Sequence, residues 1–325
     1  MKNKEQGRGI FVVISIVTFI ISFGIGVVSK LVVKPSWAKK YSVRMSDETG
    51  KVYKDIPYGD GEANRFDLYV PAGGRKESYG LVVYLHAGGF ISGDKSGDAE
   101  ILSWLCSKGY IAAGINYTLR NDENNKSVYS QSMEIKEAMP KVVEEAGKMG
   151  YHINRMAIAG GSAGGILAML YAYRDAKDAP VLVKMMFEAV GPSGFNRADW
   201  DIYGLDQDTV ESKKAAAELF SVIRGTEIAP DIIDTPEYDK LIKPVSAVMW
   251  IDENSVPSVI AYGVHDRVCP FRTAVRLVNA LKENGVDYQY FEMPHSGHGL
   301  QNDDKLYEQY MNTVEEYLDQ YMSME

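Results

Sequence analysis

Met156-Ala157-Ile158-Ala159-Gly160-Gly161-Ser162-Ala163-Gly164-Gly165 decides how the rest of this chain is read. An apolar run of strand length stops at two glycines, a serine follows, and after two more glycines an apolar pattern resumes at helical spacing towards Tyr173. A strand that passes straight into a helix must turn sharply, which forces the residue at the corner into an unfavourable backbone conformation. Glycines two positions before and after it let the chain pass without Cβ clashes. Alone, Gly-x-Ser-x-Gly would as readily be a plain tight turn. Between a strand and a helix it has the setting of a nucleophile elbow, with Ser162 at the corner.

The same alternation extends in both directions. The pattern predicts strands at Val52–Ile56 and Arg65–Val70 around a Gly-Asp-Gly turn at Gly59–Gly61, then strand Leu81–Leu85, helix Ala99–Lys108, strand Ile111–Tyr117, helix Met133–Met149, strand Met156–Ala159, helix Gly165–Tyr173 and strand Val183–Phe187. It resumes with strand Val259–Tyr262, helix Phe271–Asn284, strand Tyr288–Phe291 and an amphipathic helix near Lys305–Tyr321. Strands and helices taking turns imply an α/β fold with a mainly parallel sheet and helices on both faces. Between Gly191 and Pro257 the alternation fails, giving way to aromatic and acidic residues around Trp200–Asp208 and an Ala-rich helical stretch at Ser212–Ile223. Residues 191–257 are therefore expected to form a cap inserted over the sheet.

A serine hydroxyl is a poor nucleophile at neutral pH and needs a base, which in turn needs an orienting carboxylate. Asp266 follows the strand Val259–Tyr262, and His298 follows the strand Tyr288–Phe291, so the chain order is Ser162, Asp266, His298. Two alternatives stay open: His295 shares a loop with His298, and Glu188 follows the strand Val183–Phe187. His152 and His265 read as solvated or structural. After the strand Leu81–Leu85, His86-Ala87-Gly88-Gly89-Phe90 offers backbone N–H groups that side chains would not shield. Gly88, Gly89 and Ala163 are the candidate oxyanion-hole donors, against the plainer reading of an ordinary glycine turn. There is no Gly-x-x-x-x-Gly-Lys phosphate loop, no cluster with metal-ligand spacing, and no cofactor is implied.

The chain has 325 residues, 46% hydrophobic and 24% charged, enough to bury one substantial core. Its formal net charge is −9. Residues 1–40 carry seven Lys or Arg against one acidic residue, which leaves the remainder at −15 and argues against nucleic acid as a partner. Cys106 and Cys269 fit neither a zinc motif nor a redox pair and read as ordinary thiols. Residues 10–29 (IFVVISIVTFIISFGIGVVS) hold no charge and are long enough to cross about 30 Å of hydrocarbon as a helix. A cleaved signal peptide is the alternative, but the apolar run is long for one and no small-x-small site comes after it. Residues 1–40 are thus expected to form a transmembrane helix, partnered by the lipid bilayer, and a basic linker, with a catalytic domain over 41–325. Lys2, Lys4 and Arg8 precede the span and Lys30, Lys34, Lys39 and Lys40 follow it, a small excess that by the positive-inside rule favours a cytoplasmic domain. A span beginning so near the start and followed by a long domain nevertheless resembles a signal anchor that exports what lies behind it. An extracytoplasmic catalytic domain is therefore expected.

Taken together, Asp67-Leu68-Tyr69-Val70-Pro71, His86–Phe90 with Gly93-Asp94, Asn116-Tyr117-Thr118-Leu119, Gly160–Gly165, Gly263–Pro270 and Gly297-His298-Gly299 resemble the esterase branch of the α/β-hydrolase superfamily, near the hormone-sensitive-lipase-like carboxylesterases and the acetyl-xylan and feruloyl esterase-like enzymes. The resemblance runs from about Val52 to the end. It implies an α/β-hydrolase fold, catalytic roles for Ser162, Asp266 and His298, an oxyanion hole of Gly88, Gly89 and Ala163, and a small-molecule or saccharide-linked ester as substrate. Ala87 stands where relatives have glycine, and Gly161 where many have Asp; these put the shape of the oxyanion hole and the exact branch in question. An amide, formamide or small-peptide hydrolase and a non-catalytic membrane-tethered binding protein are the competing readings.

Overall fold

The structure, a computed structural model, describes residues 40–73 and 76–323. The expected membrane span at residues 10–29 lies outside the described residues, and among the described residues no helix is long and apolar enough to cross a membrane. The chain divides between Lys40 and Tyr41, and the second unit, Tyr41–Glu325, contains the sheet.

Eight strands form that sheet: β1 (Gly50–Pro57), β2 (Arg65–Pro71), β3 (Tyr79–Leu85), β4 (Ile111–Ile115), β5 (Ile153–Gly161), β6 (Leu182–Ala189), β7 (Ser258–Gly263) and β8 (Tyr288–Met293). Their spatial order is β1-β2-β4-β3-β5-β6-β7-β8. The two pairings of β2 are antiparallel and every other pairing is parallel. The helices are α1 (Ala99–Ser107), α2 (Val128–Lys148), α3 (Ala163–Leu170), α4 (Val210–Arg224), α5 (Pro236–Ile242), α6 (Phe271–Glu283) and α7 (Asp304–Tyr321). Central strands covered on both faces have no polar side to show, so β3, β4 and β7, and β5 from Met156 onward, are almost entirely apolar and buried along nearly all their length, as the alternation implied. The edge strands β1 and β8 instead show mixed burial.

This order places a topological switch beside β3. From β3 the chain crosses to β4 on one side and later returns to β5 on the other, so the loops leaving the carboxyl ends of β3 and β5 diverge and open a crevice between them. The segments that come after β7 and β8 leave the sheet at the same end.

Residues 191–257 carry no strand. They form α4, α5 and short 3-10 turns, and they close on an aromatic cluster of Phe195, Trp200, Phe220 and Tyr238, all buried, with ring centroids 5.4 to 6.1 Å apart. A core built on rings from irregular segments has no two-residue period, which is why the alternation stops there. Helix boundaries also differ from expectation. The helix expected from Met133 begins at Val128, because Ser127 accepts from the N–H of Ser130 while the Ser130 hydroxyl accepts from the N–H of Ser127. Helix α3 begins at Ala163, inside the glycine run, and gives way after Leu170 to a π-helical turn.

Glu188, left open by the sequence as the alternative acid, is completely buried near the end of β6. One carboxylate oxygen accepts the N–H of Gly191 at 2.8 Å, and the other has no partner among the described residues. Burial pushes its carboxyl up to about 8, so it is largely protonated at neutral pH. A carboxyl that binds its proton more tightly folded than unfolded makes stability fall as pH rises from about 4.5 through about 8. Glu188→Gln is therefore expected to flatten that dependence and to be more stable than the parent at pH 8 by on the order of 1–3 kcal/mol, with little difference at pH 4; urea denaturation across this range measures it.

Candidate active site

Ser162 sits between β5 and α3 with φ 53° and ψ −118°, the strained corner that the glycines around it anticipate. Its N–H donates to the carbonyl of Ala189 on the neighbouring β6 at 2.8 Å. The flanking glycines are needed sterically. A Cβ on Gly164 would lie 1.9 Å from the Leu85 carbonyl oxygen at the end of β3, and one on Gly160 would lie 2.4 Å from the Gly164 backbone. Gly161 differs: its Cβ would meet nothing closer than 3.7 Å, so a side chain there, such as the Asp of many relatives, has room.

Asp266 and His298 come to this corner from the last two parallel strands. The His298 Nδ1 lies 2.7 Å from Asp266 Oδ2, and its Nε2 lies 2.8 Å from the Ser162 Oγ. Because a carboxylate can only accept, Nδ1 carries the proton, which leaves Nε2 free to accept from the serine hydroxyl. The other Asp266 oxygen accepts the N–H groups of Val268 at 2.7 Å and Cys269 at 2.9 Å, so the carboxylate is fixed at both ends and almost fully buried. The two loops touch through bare backbone: a Cβ on Gly263, at the end of β7, would lie 2.4 Å from the Gly297 carbonyl oxygen.

The rivals are engaged elsewhere. The His295 side chain is 77% exposed and pairs through Nδ1 with Asp303 at 2.8 Å. Asp303 also accepts the Ser296 hydroxyl at 2.6 Å and thereby braces the loop that carries His298. Glu188 faces Gly165 and Gly191 from within the core rather than His298.

The Gly88–Gly89 turn leaves β3 beside the elbow. Leu85 and Gly160 are in register on neighbouring strands, and a Cβ on Gly164 would also lie 2.8 Å from the His86 carbonyl oxygen. Ala163 opens α3, so its N–H has no partner within the helix. Gly88 takes φ 137° and its Cβ would lie 1.9 Å from the Ser92 carbonyl oxygen, so only glycine fits; the Ala87 side chain is exposed, which explains how alanine is tolerated one position earlier.

What anchors this turn could not be read from the sequence. The buried His86 ring stacks on Tyr117 at 4.3 Å, the Tyr117 hydroxyl donates to the His86 carbonyl at 2.9 Å, and burial lowers the imidazole's affinity for a proton, favouring a neutral ring. Asn116 accepts the N–H of Lys95 at 2.7 Å and donates to Asp94. The ammonium of Lys95, itself buried, lies 3.1 Å from Asp67 on β2 and 2.7 Å from Asp55, while Asp67 accepts the N–H of Asp55 at the β1 bulge. The Asp67, Asp94 and Asn116-Tyr117 motifs are thus supports of one turn. Both cysteines are buried free thiols, with that of Cys106 pushed up to about 12 by burial, and among the described residues no cluster of His, Cys, Asp or Glu could hold a metal.

A family model described as BD-FAE matches residues 66–281, about two thirds of the chain, from β2 to the end of α6. The chain is similar to the esterase LipC of Mycobacterium tuberculosis (strain ATCC 25618 / H37Rv), 23% identical over 75% of this chain and 59% of that protein. It is also similar to the kynurenine formamidase of Salmo salar, 29% identical over 37% of this chain and 38% of that one. It spans roughly two fifths to three fifths of the length of the curated relatives it matches. Among solved structures, a truncated carbohydrate esterase from gut microbiota superposes with a TM-score of 0.65 over 86% of this chain and 99% of that one at 17% identity, a likeness of fold. The match over strands β2 to β7, including the elbow, the glycine turn and the Asp266 loop, makes this chain a member of the BD-FAE family, an esterase family of the α/β-hydrolase fold.

Proposed function

We propose that the protein is a carboxylic ester hydrolase acting through an acyl-enzyme. The observation that carries this reading is the unbroken hydrogen-bonded line from Asp266 through His298 to the strained Ser162. As the Ser162 Oγ bonds to the acyl carbon, its proton passes to His298 Nε2, and Asp266 stabilises the imidazolium that results. Gly88, Gly89 and Ala163 donate backbone hydrogen bonds to the carbonyl oxygen as it becomes negative, each worth on the order of 10²–10³ in rate. Breaking the ester C–O bond returns the proton from His298 to the leaving alcohol. Water then repeats the sequence and releases the acid.

Membership of the BD-FAE family and similarity to LipC and to a carbohydrate esterase support an ester substrate, small or saccharide-linked. Residues 191–257 would cap the crevice and set its preference for acyl group or alcohol. Similarity to kynurenine formamidases keeps a formamide as the second reading, since the same nucleophile and oxyanion donors would serve a formyl group. On sequence alone, residues 10–29 would tether the domain to a membrane, with the domain on the outer side.

Ser162→Ala and His298→Ala should lower ester turnover by roughly 10³- to 10⁶-fold with thermal stability retained, and Ser162→Ala should abolish fluorophosphonate labelling, whereas His295→Ala should stay within a few-fold of the parent. If His295→Ala is inactive and His298→Ala active, the base is the other histidine. Across matched panels of acyl esters and aryl formamides, kcat/KM is expected to be higher for the esters; the reverse order would establish the formamide reading. Protease added to intact cells should release the catalytic domain, and protection until the membrane is permeabilised would place it in the cytoplasm.

A further inference from the structure

A side chain of the insertion 191–257 reaches the loop that carries Asp266. Tyr203, in the 3-10 turn Asp201–Tyr203, donates its hydroxyl to the carbonyl oxygen of Val268 at 2.9 Å. That carbonyl belongs to the peptide unit whose N–H, on Cys269, donates to Asp266 Oδ1 at 2.9 Å. One peptide group therefore joins Tyr203 on one side to Asp266 on the other. We infer that Tyr203 is a positioning residue for the Asp266–His298 pair, acting through the Val268–Cys269 peptide, an inference that rests on the catalytic roles proposed above.

The shared peptide has two physical effects. Hydrogen bonding at a carbonyl polarises its amide, which makes the N–H on the other side a better donor; linked bonds of this kind strengthen one another. The bond also holds the peptide plane, because rotating that plane away from Asp266 would break both contacts at once. A carboxylate pinned at Oδ1 by two N–H groups presents Oδ2 to His298 in one orientation, and acid-base catalysis is sensitive to small displacements of that pair.

The neighbouring contacts keep Tyr203 in place. Its ring lies 5.6 Å from that of Trp200, which belongs to the buried aromatic cluster of the insertion. On α6, Arg272 donates to the Ala198 carbonyl at 3.0 Å and lies 3.3 Å from Asp201, while Arg276 pairs with Asp199 at 2.9 Å. These outer ion pairs are part-exposed, and each contributes little alone. Their common effect is to fasten the stretch Ala198–Tyr203 against the start of α6, just beyond the Asp266 turn. Tyr203 is itself 46% exposed, and its phenol, with an ordinary pKa of about 10, remains protonated and a donor throughout the working pH range.

The test is Tyr203→Phe, which keeps the ring on Trp200 and removes only the donor, measured with p-nitrophenyl acetate and by the rate of fluorophosphonate labelling. The expected result is a kcat about 3- to 10-fold lower, KM within about twofold, and an unchanged melting temperature. In an Asp266→Asn background the same substitution should cost less than about twofold, because the chain it acts through is already broken. A parental kcat, a loss confined to KM, or an undiminished effect in the Asp266→Asn background would each overturn the inference. If the parent protein neither turns over the ester nor labels, the proposed function itself fails, an outcome distinct from these three.

Discussion

The carbonyl oxygen of Leu85 lies where a side chain on Gly164 would have to begin, and much of the molecule is arranged around that contact. Two parallel strands can bring a turn and a helix start this close only if the helix start carries no Cβ at the point of approach. Gly164 meets that condition, and Gly88 answers a separate crowding inside its own turn, where a Cβ would lie 1.9 Å from the Ser92 carbonyl oxygen. Ser162 is then held in its strained conformation by the strand before it, the helix after it and the hydrogen bond of its N–H to Ala189. Strain of this kind, of order 1–3 kcal/mol, persists because the surrounding backbone leaves no alternative.

The turn that faces the serine is held differently. Glycines that free the backbone to approach also free it to move, and its geometry is maintained from outside by the stacking of His86 on Tyr117, by Asn116, and by the Lys95 ammonium between Asp55 and Asp67. Of the three charged groups, Lys95 and Asp67 are buried whereas Asp55 is exposed. The buried pair adds little net stability, since desolvation offsets much of the attraction, but losing either member would leave an uncompensated charge in the core. The glycine turn thereby acquires a rigid foundation on β1, β2 and β4.

Two buried acids near Ser162 differ in what surrounds them. Asp266 is buried but accepts three hydrogen bonds, two from backbone N–H groups and one from the imidazole of His298. Glu188, equally buried and one strand away, accepts the N–H of Gly191 and is held largely protonated. Two acids of similar depth are separated by their hydrogen-bond supply, and that difference favours Asp266 over Glu188 as the partner of His298.

The alternation of strands and helices, the elbow, the glycine turn and the order Ser162, Asp266, His298 were legible in the sequence because each rests on local constraints: side-chain period, the φ that only glycine accepts freely, and the position of a residue just beyond a strand. Sequence could not separate His298 from His295, two residues that share one loop; only the fold shows one bridging Ser162 and Asp266 and the other paired with Asp303 at the surface. Nor could it place Lys95 between Asp55 and Asp67, or bring Tyr203 to the Val268 carbonyl across 65 residues of chain. The insertion was visible only as a failure of pattern, since rings gathered from irregular segments leave no period to read. Local backbone demands are written in neighbouring residues. Which polar groups meet across the ends of different strands is set by sheet order and burial, and these exist only once the chain has folded.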